Sequence, residues 1–315
     1  MRAGSASASS SAAAVSVSLR SAVRSRISDY VELTRPRIAV MSLATVTVGY
    51  ALASADLWRV EGLLHALLGI GLVAVASSAW NQLIERKTDA RMRRTETRPL
   101  PAGRLMPREV AAFGLATGTA GGFYLFLTVG PLTAGLAVFV LLLYVVGYTP
   151  LKRRSSLCTA VGAIPGALPP VLGWTAAGGS LDAGAFALFA VMFVWQFPHF
   201  LAIAWLYRRD YENAGLRMLP VASRHRHATG LIAALYALAL LPVSLLPSEL
   251  AVGESLAGDL YTWAALLLGM GYAVIALRFA ARETTRTARG LLWVSLVYLP
   301  LLLLVLTFDH FRLLQ

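Results

Sequence analysis

Apolar residues in this chain fall in long, unbroken blocks and do not alternate with polar ones. Residues 38–55, 110–151, 155–181 and 183–206 contain no Asp, Glu, Lys or Arg. A helix needs about 20 apolar residues to cross about 30 Å of hydrocarbon. Strands on a sheet surface would alternate with period two, which these blocks do not. The pattern therefore predicts transmembrane helices.

We predict an all-α, polytopic transmembrane bundle of about nine spans around a central cavity. The spans lie near residues 38–54, 62–83, 110–128, 132–148, 158–175, 184–206, 228–247, 260–277 and 290–308. The block 110–151 is long enough for two helices, with Gly130 and Pro131 at the turn between them. The fifth span is dense in Gly and Pro between Gly162 and Trp174. Its helix should be distorted, which a membrane tolerates only beside protein or a cavity.

Composition and charge support this class and indicate an orientation. Hydrophobic residues make up 57% of the chain and charged residues only 14%. All but Arg59 and Arg312 of the 28 Lys and Arg residues lie before span 1 or after spans 2, 4, 6 and 8. The positive-inside rule then predicts a cytoplasmic N-terminus and a C-terminus outside. The net charge of +12 is explained by topology and anionic lipid, so we expect no nucleic-acid partner.

The sequence divides into a short tail and one domain. Residues 1–29 are rich in Ala and Ser, and basic residues are spread among them, so we predict a disordered basic tail. The same composition also fits a mitochondrial transit peptide, and both interpretations stay open. Residues 30–315 form a single transmembrane domain. The single Cys158 excludes an intramolecular disulfide and a cysteine-rich metal site.

The loop after span 2 carries the strongest candidate chemistry. Asn81, Glu85 and Asp89 are four residues apart, so they share one face of a helix. Oxygen ligands of this kind suit Mg²⁺, which is usually completed by substrate phosphates. Cations that could hold a diphosphate follow at Lys87, Arg91, Arg94 and Arg98. The alternative is a solvated, salt-bridged helix end, but an Asn at the hydrophobic border, where an unpaired amide is costly, favours a functional site.

Two further places carry weaker signals. The loop after span 6 contains Asp210 and Glu212, which could supply a second metal contact or belong to a polar turn ended by Gly215 and Pro220. His199 lies inside span 6. An intramembrane His is a candidate heme ligand or proton carrier, and the plainer alternative is a hydrogen bond to a neighbouring helix.

The motifs resemble the UbiA superfamily of intramembrane prenyltransferases, and within it the heme O synthase branch. The first motif is similar to that branch's Asn-x-x-x-Glu/Asp-x-x-x-Asp-x-x-Met-x-Arg-Thr-x-x-Arg-Pro and runs from Asn81 to Pro99. Four further stretches agree, at 32–37, at 148–153 together with the run 162–170, at 195–200 and at 210–221. Cys158 departs from the polar Asn expected there. The second motif keeps Asp210 but lacks the denser Asp-x-x-x-Asp of quinone-precursor enzymes, which favours the heme branch.

The resemblance implies transfer of the farnesyl group of farnesyl diphosphate to the vinyl group of heme B, giving heme O. It implies Mg²⁺ as cofactor, held by Asn81, Glu85, Asp89 and Asp210, which also form the catalytic set. Arg94, Arg98, Lys152 and Arg153 would bind the diphosphate, and His199 is the heme-binding candidate. Heme A synthase is the expected partner. A bacterial inner membrane is the expected location, with the mitochondrial inner membrane as the alternative.

Three rival functions differ in what they require. A UbiA-type enzyme acting on an aromatic quinone precursor shares the metal chemistry and differs in acceptor. A transporter would use the broken fifth span and His199 as a midplane site. A non-catalytic heme-binding assembly factor would need His199 but not the cluster of Asn81, Glu85 and Asp89.

Overall fold

The computed structural model describes residues 25–54, 59–222, 227–249 and 256–315. All regular structure in these ranges is helical. Eight of the helices described are long and apolar enough to cross a membrane. The all-α class and the membrane-spanning bundle are therefore confirmed, and the chain is an integral membrane protein. The orientation of its termini stays a prediction.

The first half of the chain contains a short entry helix and four continuous spans. Their bounds are α1 (residues 25–34), α2 (Pro36–Ser54), α3 (Val60–Asp89), α4 (Pro107–Thr128) and α5 (Pro131–Leu151). Proline begins α2, α4 and α5, where its missing N–H has no helical partner to lose and its fixed φ suits a helix start. The last turns of α5 widen into a π-helical segment, Leu143–Tyr148.

The second half contains a broken span, four longer helices and two short loop helices. The bounds are α6 (Cys158–Ala167), α7 (Pro169–Ala176), α8 (Ala183–Leu206), α9 (Arg208–Asn213), α10 (Leu219–Ala222), α11 (Ala228–Glu249), α12 (Asp259–Ala281) and α13 (Thr285–Leu313). Asp182 begins α8 by accepting a hydrogen bond from the Ala185 backbone amide. Within α11 the helix is interrupted between Val243 and Leu246.

The predicted fifth span is two helices, as its Pro and Gly content indicated. The break falls at Leu168, immediately before Pro169 and Pro170, whose nitrogens cannot donate to the preceding turn. On α8, the Gln196 side chain donates to the Ala163 carbonyl of α6 at 2.8 Å. A side chain from a neighbouring helix thus holds the broken segment, as a break inside a membrane requires.

The helices pack as two groups joined by α6 and α7. One buried cluster lies mainly among α2, α3, α4 and α5, and a larger one among α8, α11, α12 and α13. The two groups also contact each other directly, through α2 and α13. Large apolar side chains such as Phe123, Trp263 and Leu304 are more than 60% exposed on the outside. That surface suits contact with lipid tails.

The helices α2 and α7 approach each other almost backbone to backbone. A Cβ atom on Gly49 would lie 1.8 Å from the Pro170 carbonyl oxygen. A Cβ atom on Gly173 would lie 1.9 Å from the Val46 carbonyl oxygen. Only glycine fits either position, because the obstacle is main chain and cannot rotate away.

The predicted boundary of the N-terminal tail, residue 29, falls within α1, since residues 25–34 are helical. Residues 1–24 of that tail lie outside the described residues. Between α1 and α2, Arg35 adopts a left-handed backbone with φ of 50°. The Leu33 carbonyl accepts hydrogen bonds from Ser78 and Gln82 of α3. The entry helix is thereby fixed against the helix that carries the first motif.

Gly49→Ala is expected to destabilise the protein by about 1–3 kcal/mol or more, because the added methyl forces α2 and α7 apart. Gly271→Ala is the matched control, since a Cβ there meets nothing within 4 Å. Thermal unfolding of purified protein in detergent measures both. If the Gly49→Ala variant has the same melting temperature as the control, the close approach of these helices is contradicted.

Candidate active site

Three loop regions meet at one end of the bundle, which we call the basic end: residues 90–106 after α3, 152–157 after α5 and 207–222 after α8. A buried cluster joins them, formed by Met92, Cys158, Ala204, Tyr211, Ala214, Leu216 and Met218. The Cys158 thiol donates a weak hydrogen bond to the Met218 sulfur at 3.6 Å, so the residue that departs from the family pattern contacts the second loop. The two motif-bearing loops are therefore neighbours, as a shared site requires.

Asn81 is fully buried, and its amide is held in one orientation. Its Nδ2 donates to the Thr149 hydroxyl at 3.2 Å, and that hydroxyl donates its only proton to the Tyr144 carbonyl at 2.7 Å. Thr149 can only accept from Asn81, so the amide oxygen must point away. That Oδ1 atom is buried and has no partner among the described residues. A buried amide oxygen without a partner is a costly feature that a ligand would satisfy.

Glu85 is paired with a cation from another loop. The Lys152 ammonium lies 2.7 Å from its carboxylate, and each side chain is only 13% exposed. Burial on its own would lower the pKa of Lys152, but the contacts with Tyr148 and Glu85 outweigh it, and the pKa is raised. Lys152 is therefore held charged at the basic end.

Asp89, the last residue of α3, is buried beside Arg98 of the loop that follows, with 2.7 Å between carboxylate and guanidinium. Burial and the like charge of Arg35 lower the pKa of Arg98, although Asp89 opposes them. The Nε atom of Arg35 is itself buried without a hydrogen-bond partner in the described ranges. Positive charge is therefore only partly compensated beside Asp89, as at an anion site before its ligand arrives.

The remaining predicted residues lie at the same end with looser contacts. The Arg94 guanidinium lies over the Tyr207 ring at 4.8 Å. Arg153 lines a cleft of about 300 Å³ together with Glu85. Asp210 lies on α9, beside the buried Tyr211. No hydrogen bond or ion pair between described residues joins Asp210 to the first motif, so its role as a metal or diphosphate contact stays a prediction.

The second loop is nevertheless attached to the first site through the main chain. The Arg217 amide donates to the Lys152 carbonyl at 2.9 Å. Leu216 lines the same cleft as Glu85 and Arg153. This attachment brings the chain that follows α9 to the cleft.

The oxygen ligands on α3 fit a hard cation whose coordination shell is completed by substrate phosphate. Across the described chain, no three His, Cys, Asp or Glu side chains are grouped as a protein-only metal site. Asn81, Glu85 and Asp89 instead offer one amide oxygen and two carboxylates on one helix face. Mg²⁺ usually takes one or two carboxylates and fills its shell with water and substrate phosphates. The orphaned Asn81 oxygen is the structural sign that a ligand belongs there.

The structure adds residues that the sequence motifs did not single out. Thr149 orients Asn81, and Arg35 adds charge beside Asp89. Thr149 directly follows the π-helical turn of α5, for which the sequence offers no clear signal. Arg35 lies in the stretch 32–37 that supports the resemblance, so that match did contain a hint of its position. His199 lies apart from this cluster, on α8, where it contacts Ser295 of α13.

With this geometry established, comparison with known proteins decides the family. The model of the UbiA prenyltransferase family matches residues 42–297. This chain belongs to the UbiA prenyltransferase family. The match runs from within α2 into the first half of α13 and therefore includes the three loop regions of the basic end.

Bacterial relatives of this UbiA family member cover nearly its whole length. A protoheme IX farnesyltransferase of Solibacter usitatus is 44% identical over 90% of this chain and 98% of its own. One from Koribacter versatilis is 44% identical over 92% of this chain and 96% of its own. One from Myxococcus xanthus is 40% identical over 90% of this chain and 95% of its own.

Solved structures share the fold at low sequence identity. A digeranylgeranylglyceryl phosphate synthase aligns with a TM-score of 0.74 and 15% identity, over 91% of this chain and 99% of that one. A UbiA homologue from Archaeoglobus fulgidus bound to GPP and Mg²⁺ aligns with a TM-score of 0.65 and 16% identity, over 89% of this chain and 99% of that one. These likenesses support the UbiA fold of the family member described here.

Lys152→Met is expected to lower the free energy of unfolding by about 3–5 kcal/mol, because it leaves the buried Glu85 carboxylate without its partner. Lys87→Met, on the exposed side of α3, is the control. Adding Glu85→Gln to Lys152→Met should restore part of the loss. Equal melting temperatures for Lys152→Met and the control in detergent would contradict the buried pair.

Proposed function

We propose that this chain is a protoheme IX farnesyltransferase, which transfers the farnesyl group of farnesyl diphosphate to a vinyl group of heme B and releases diphosphate. The observation that carries the proposal is the oxygen-rich face of Asn81, Glu85 and Asp89, buried at the basic end among cations from several loops. The relatives with this name, at 40–44% identity along nearly the full chain, support the acceptor.

Asn81, Glu85 and Asp89 would hold Mg²⁺, with Asp210 as a second-loop contact. Bound there, Mg²⁺ would neutralise the diphosphate and favour its departure as a Lewis acid. GPP and Mg²⁺ bind together in the Archaeoglobus fulgidus homologue, which supports a metal-dependent diphosphate site of this kind.

Cations of this chain would take up the charge of the diphosphate. Arg35 and Arg98 already share a region in which positive charge exceeds the single carboxylate of Asp89. Arg94, Lys152 and Arg153 lie at the same end. Their task is to stabilise negative charge that grows on the leaving group as the allylic C–O bond breaks, and preorganised cations do this best.

The transfer joins two substrates and one water. The C1–O bond of farnesyl diphosphate breaks, and its electron pair leaves with the diphosphate. The vinyl carbons of heme B supply the pair that forms the new C–C bond, and water adds the hydroxyl and loses a proton. The apolar interior, formed by the spans, would keep bulk water away from the allylic cation until that step.

The surroundings of the reaction follow from the same proposal. The isoprenoid tail would lie among the spans and the head group at the basic end, which would face the cytoplasm if the positive-inside rule holds here. The bacterial relatives favour the bacterial inner membrane as location. Heme O would pass to heme A synthase or to a terminal oxidase.

Glu85→Gln and Asp89→Asn are each expected to lower heme O formation about 100-fold or more, because each removes an anionic oxygen ligand. Glu96→Gln, exposed in the same loop, should retain activity. Mass analysis of hemes from purified protein given heme B, farnesyl diphosphate and Mg²⁺ measures the conversion, with EDTA as a metal-free control. Full activity in both variants would rule out the assigned metal face.

Farnesyl diphosphate binds only the folded state and therefore stabilises the protein against unfolding. Arg98→Gln is expected to reduce this stabilisation, because the diphosphate loses a charged contact. At a ligand concentration 100 times the dissociation constant, the wild type should gain about 2.7 kcal/mol. Arg93→Gln, exposed nearby, should gain as much as the wild type. The shift in melting temperature with added ligand and Mg²⁺ measures this, and equal shifts in both variants would exclude Arg98 from the diphosphate site.

A further inference from the structure

His199 makes a specific polar contact in the apolar interior between α8 and α13. Its Nδ1 atom lies 2.8 Å from the Ser295 hydroxyl oxygen. One turn earlier on α8, the Trp195 indole donates to the Ser295 carbonyl at 3.0 Å, and its ring stacks on the imidazole with 5.1 Å between centroids. Two contacts to one residue, together with the stacked indole, fix the position and plane of the ring.

The hydrogen bonds of Ser295 determine which imidazole nitrogen carries the proton. The Ser295 hydroxyl lies 2.6 Å from the Leu292 carbonyl, which can only accept. A hydroxyl has one proton, and the shorter contact assigns it to the Leu292 carbonyl, so we infer that Ser295 accepts from His199. The Nδ1 atom of His199 is therefore protonated, and its Nε2 atom keeps a free lone pair.

The Nε2 atom is accessible. It makes no hydrogen bond to any described residue, and it is not among the buried polar atoms that lack a partner. His199 is half-buried, so part of its side chain is exposed. It lies seven residues before the end of α8 at Leu206, about 10 Å below the basic end at 1.5 Å per residue.

We propose that the Nε2 atom of His199 is an axial ligand of the heme iron of the acceptor substrate, and that Ser295 is a positioning residue that holds the required tautomer. The inference rests on the proposed function, which supplies heme as the substrate. Histidines that bind metals donate their other N–H to a second group, which orients the ring and raises its basicity. Ser295 is that group here.

A structural hydrogen bond between α8 and α13 is the competing role, and the surrounding contacts argue against it. Trp195 already joins the two helices through Ser295, and Tyr272 of α12 donates to the Trp195 carbonyl at 3.3 Å. A second connection would not need an imidazole. Nor would it leave a basic nitrogen open inside an apolar bundle, where an unpaired polar atom is costly. An iron placed there would pair that atom.

The depth of His199 agrees with the chemistry proposed. Heme carries its vinyl groups at the porphyrin edge, away from the iron. An iron held below the basic end lets that edge extend toward the region where the allylic carbon would be released. The ligand therefore sets the position of the acceptor relative to the diphosphate site and takes no part in bond breaking.

The direct test is spectroscopy of wild-type protein with ferric heme B alone, after labelling of histidine with a nitrogen isotope. The expected result is a hyperfine coupling from an iron-bound histidine nitrogen that changes with the label. His199→Ala should lose this signal, and added imidazole should restore coordination. A wild-type spectrum without iron-bound histidine, or a His199→Ala spectrum that retains it, would overturn the proposal.

Ser295→Ala tests the positioning role, because it removes the acceptor for the Nδ1 proton and leaves the ligand in place. Heme affinity is expected to fall about 10–100-fold, as when other groups that orient metal ligands are removed. Ser54→Ala is the control, since Ser54 makes a similar contact to the Tyr50 carbonyl at the far end of α2 and should bind heme normally. Unchanged affinity in Ser295→Ala would overturn the positioning role.

Farnesyl transfer, measured on the same wild-type preparation, separates this inference from the proposed function. A protein that binds iron through His199 but produces no heme O supports the ligand and contradicts the proposed function. A protein that produces heme O without a histidine on the iron contradicts the ligand alone.

Discussion

The basic end of the bundle depends on two carboxylates of one helix, each neutralised by a cation that follows it in the chain. Glu85 pairs with Lys152 after α5, and Asp89 pairs with Arg98 in the next loop. Each carboxylate depends on its cation, since an unpaired buried charge costs several kcal/mol. The pairs therefore draw the loops onto the end of α3, and the second loop follows through the contact between Arg217 and Lys152.

The same pairs suit exchange with a substrate. A metal ion would take over the carboxylates, and a diphosphate would take over the cations, so each charge would keep a partner when the ligands bind. Burial lowers the pKa of Arg98 most, and the like charges of Arg35 and Arg94 lower it further. Arg35 also has a buried Nε atom without a hydrogen-bond partner among the described residues, so these neighbouring cations give the free site surplus positive charge. An anionic ligand relieves that surplus, which connects the electrostatics that hold the loops to the binding that the function requires. His199 and Ser295 provide a separate, neutral contact for the second substrate.

Much of this arrangement was predictable from local features of the sequence. Long apolar blocks predicted the spans, and the four-residue spacing of Asn81, Glu85 and Asp89 predicted their common face, because both depend on helix geometry alone. Clustered prolines predicted the break between α6 and α7. Pairings across the bundle were not predictable: Lys152 reaches Glu85, 67 positions away, and Thr149 orients Asn81, 68 positions away, from just beyond a π-helical turn. The bond between His199 and Ser295 joins residues 96 positions apart, and no local pattern signals it.

The most direct test of this account is an experimental structure of the protein with Mg²⁺, heme B and an unreactive analogue of farnesyl diphosphate. The account predicts metal density at Asn81, Glu85 and Asp89, with the diphosphate among Arg94, Arg98 and Lys152. It also predicts the heme iron at the Nε2 atom of His199. A diphosphate bound elsewhere, with Glu85 still paired to Lys152 and Asp89 to Arg98, would contradict the exchange of partners on which the mechanism depends.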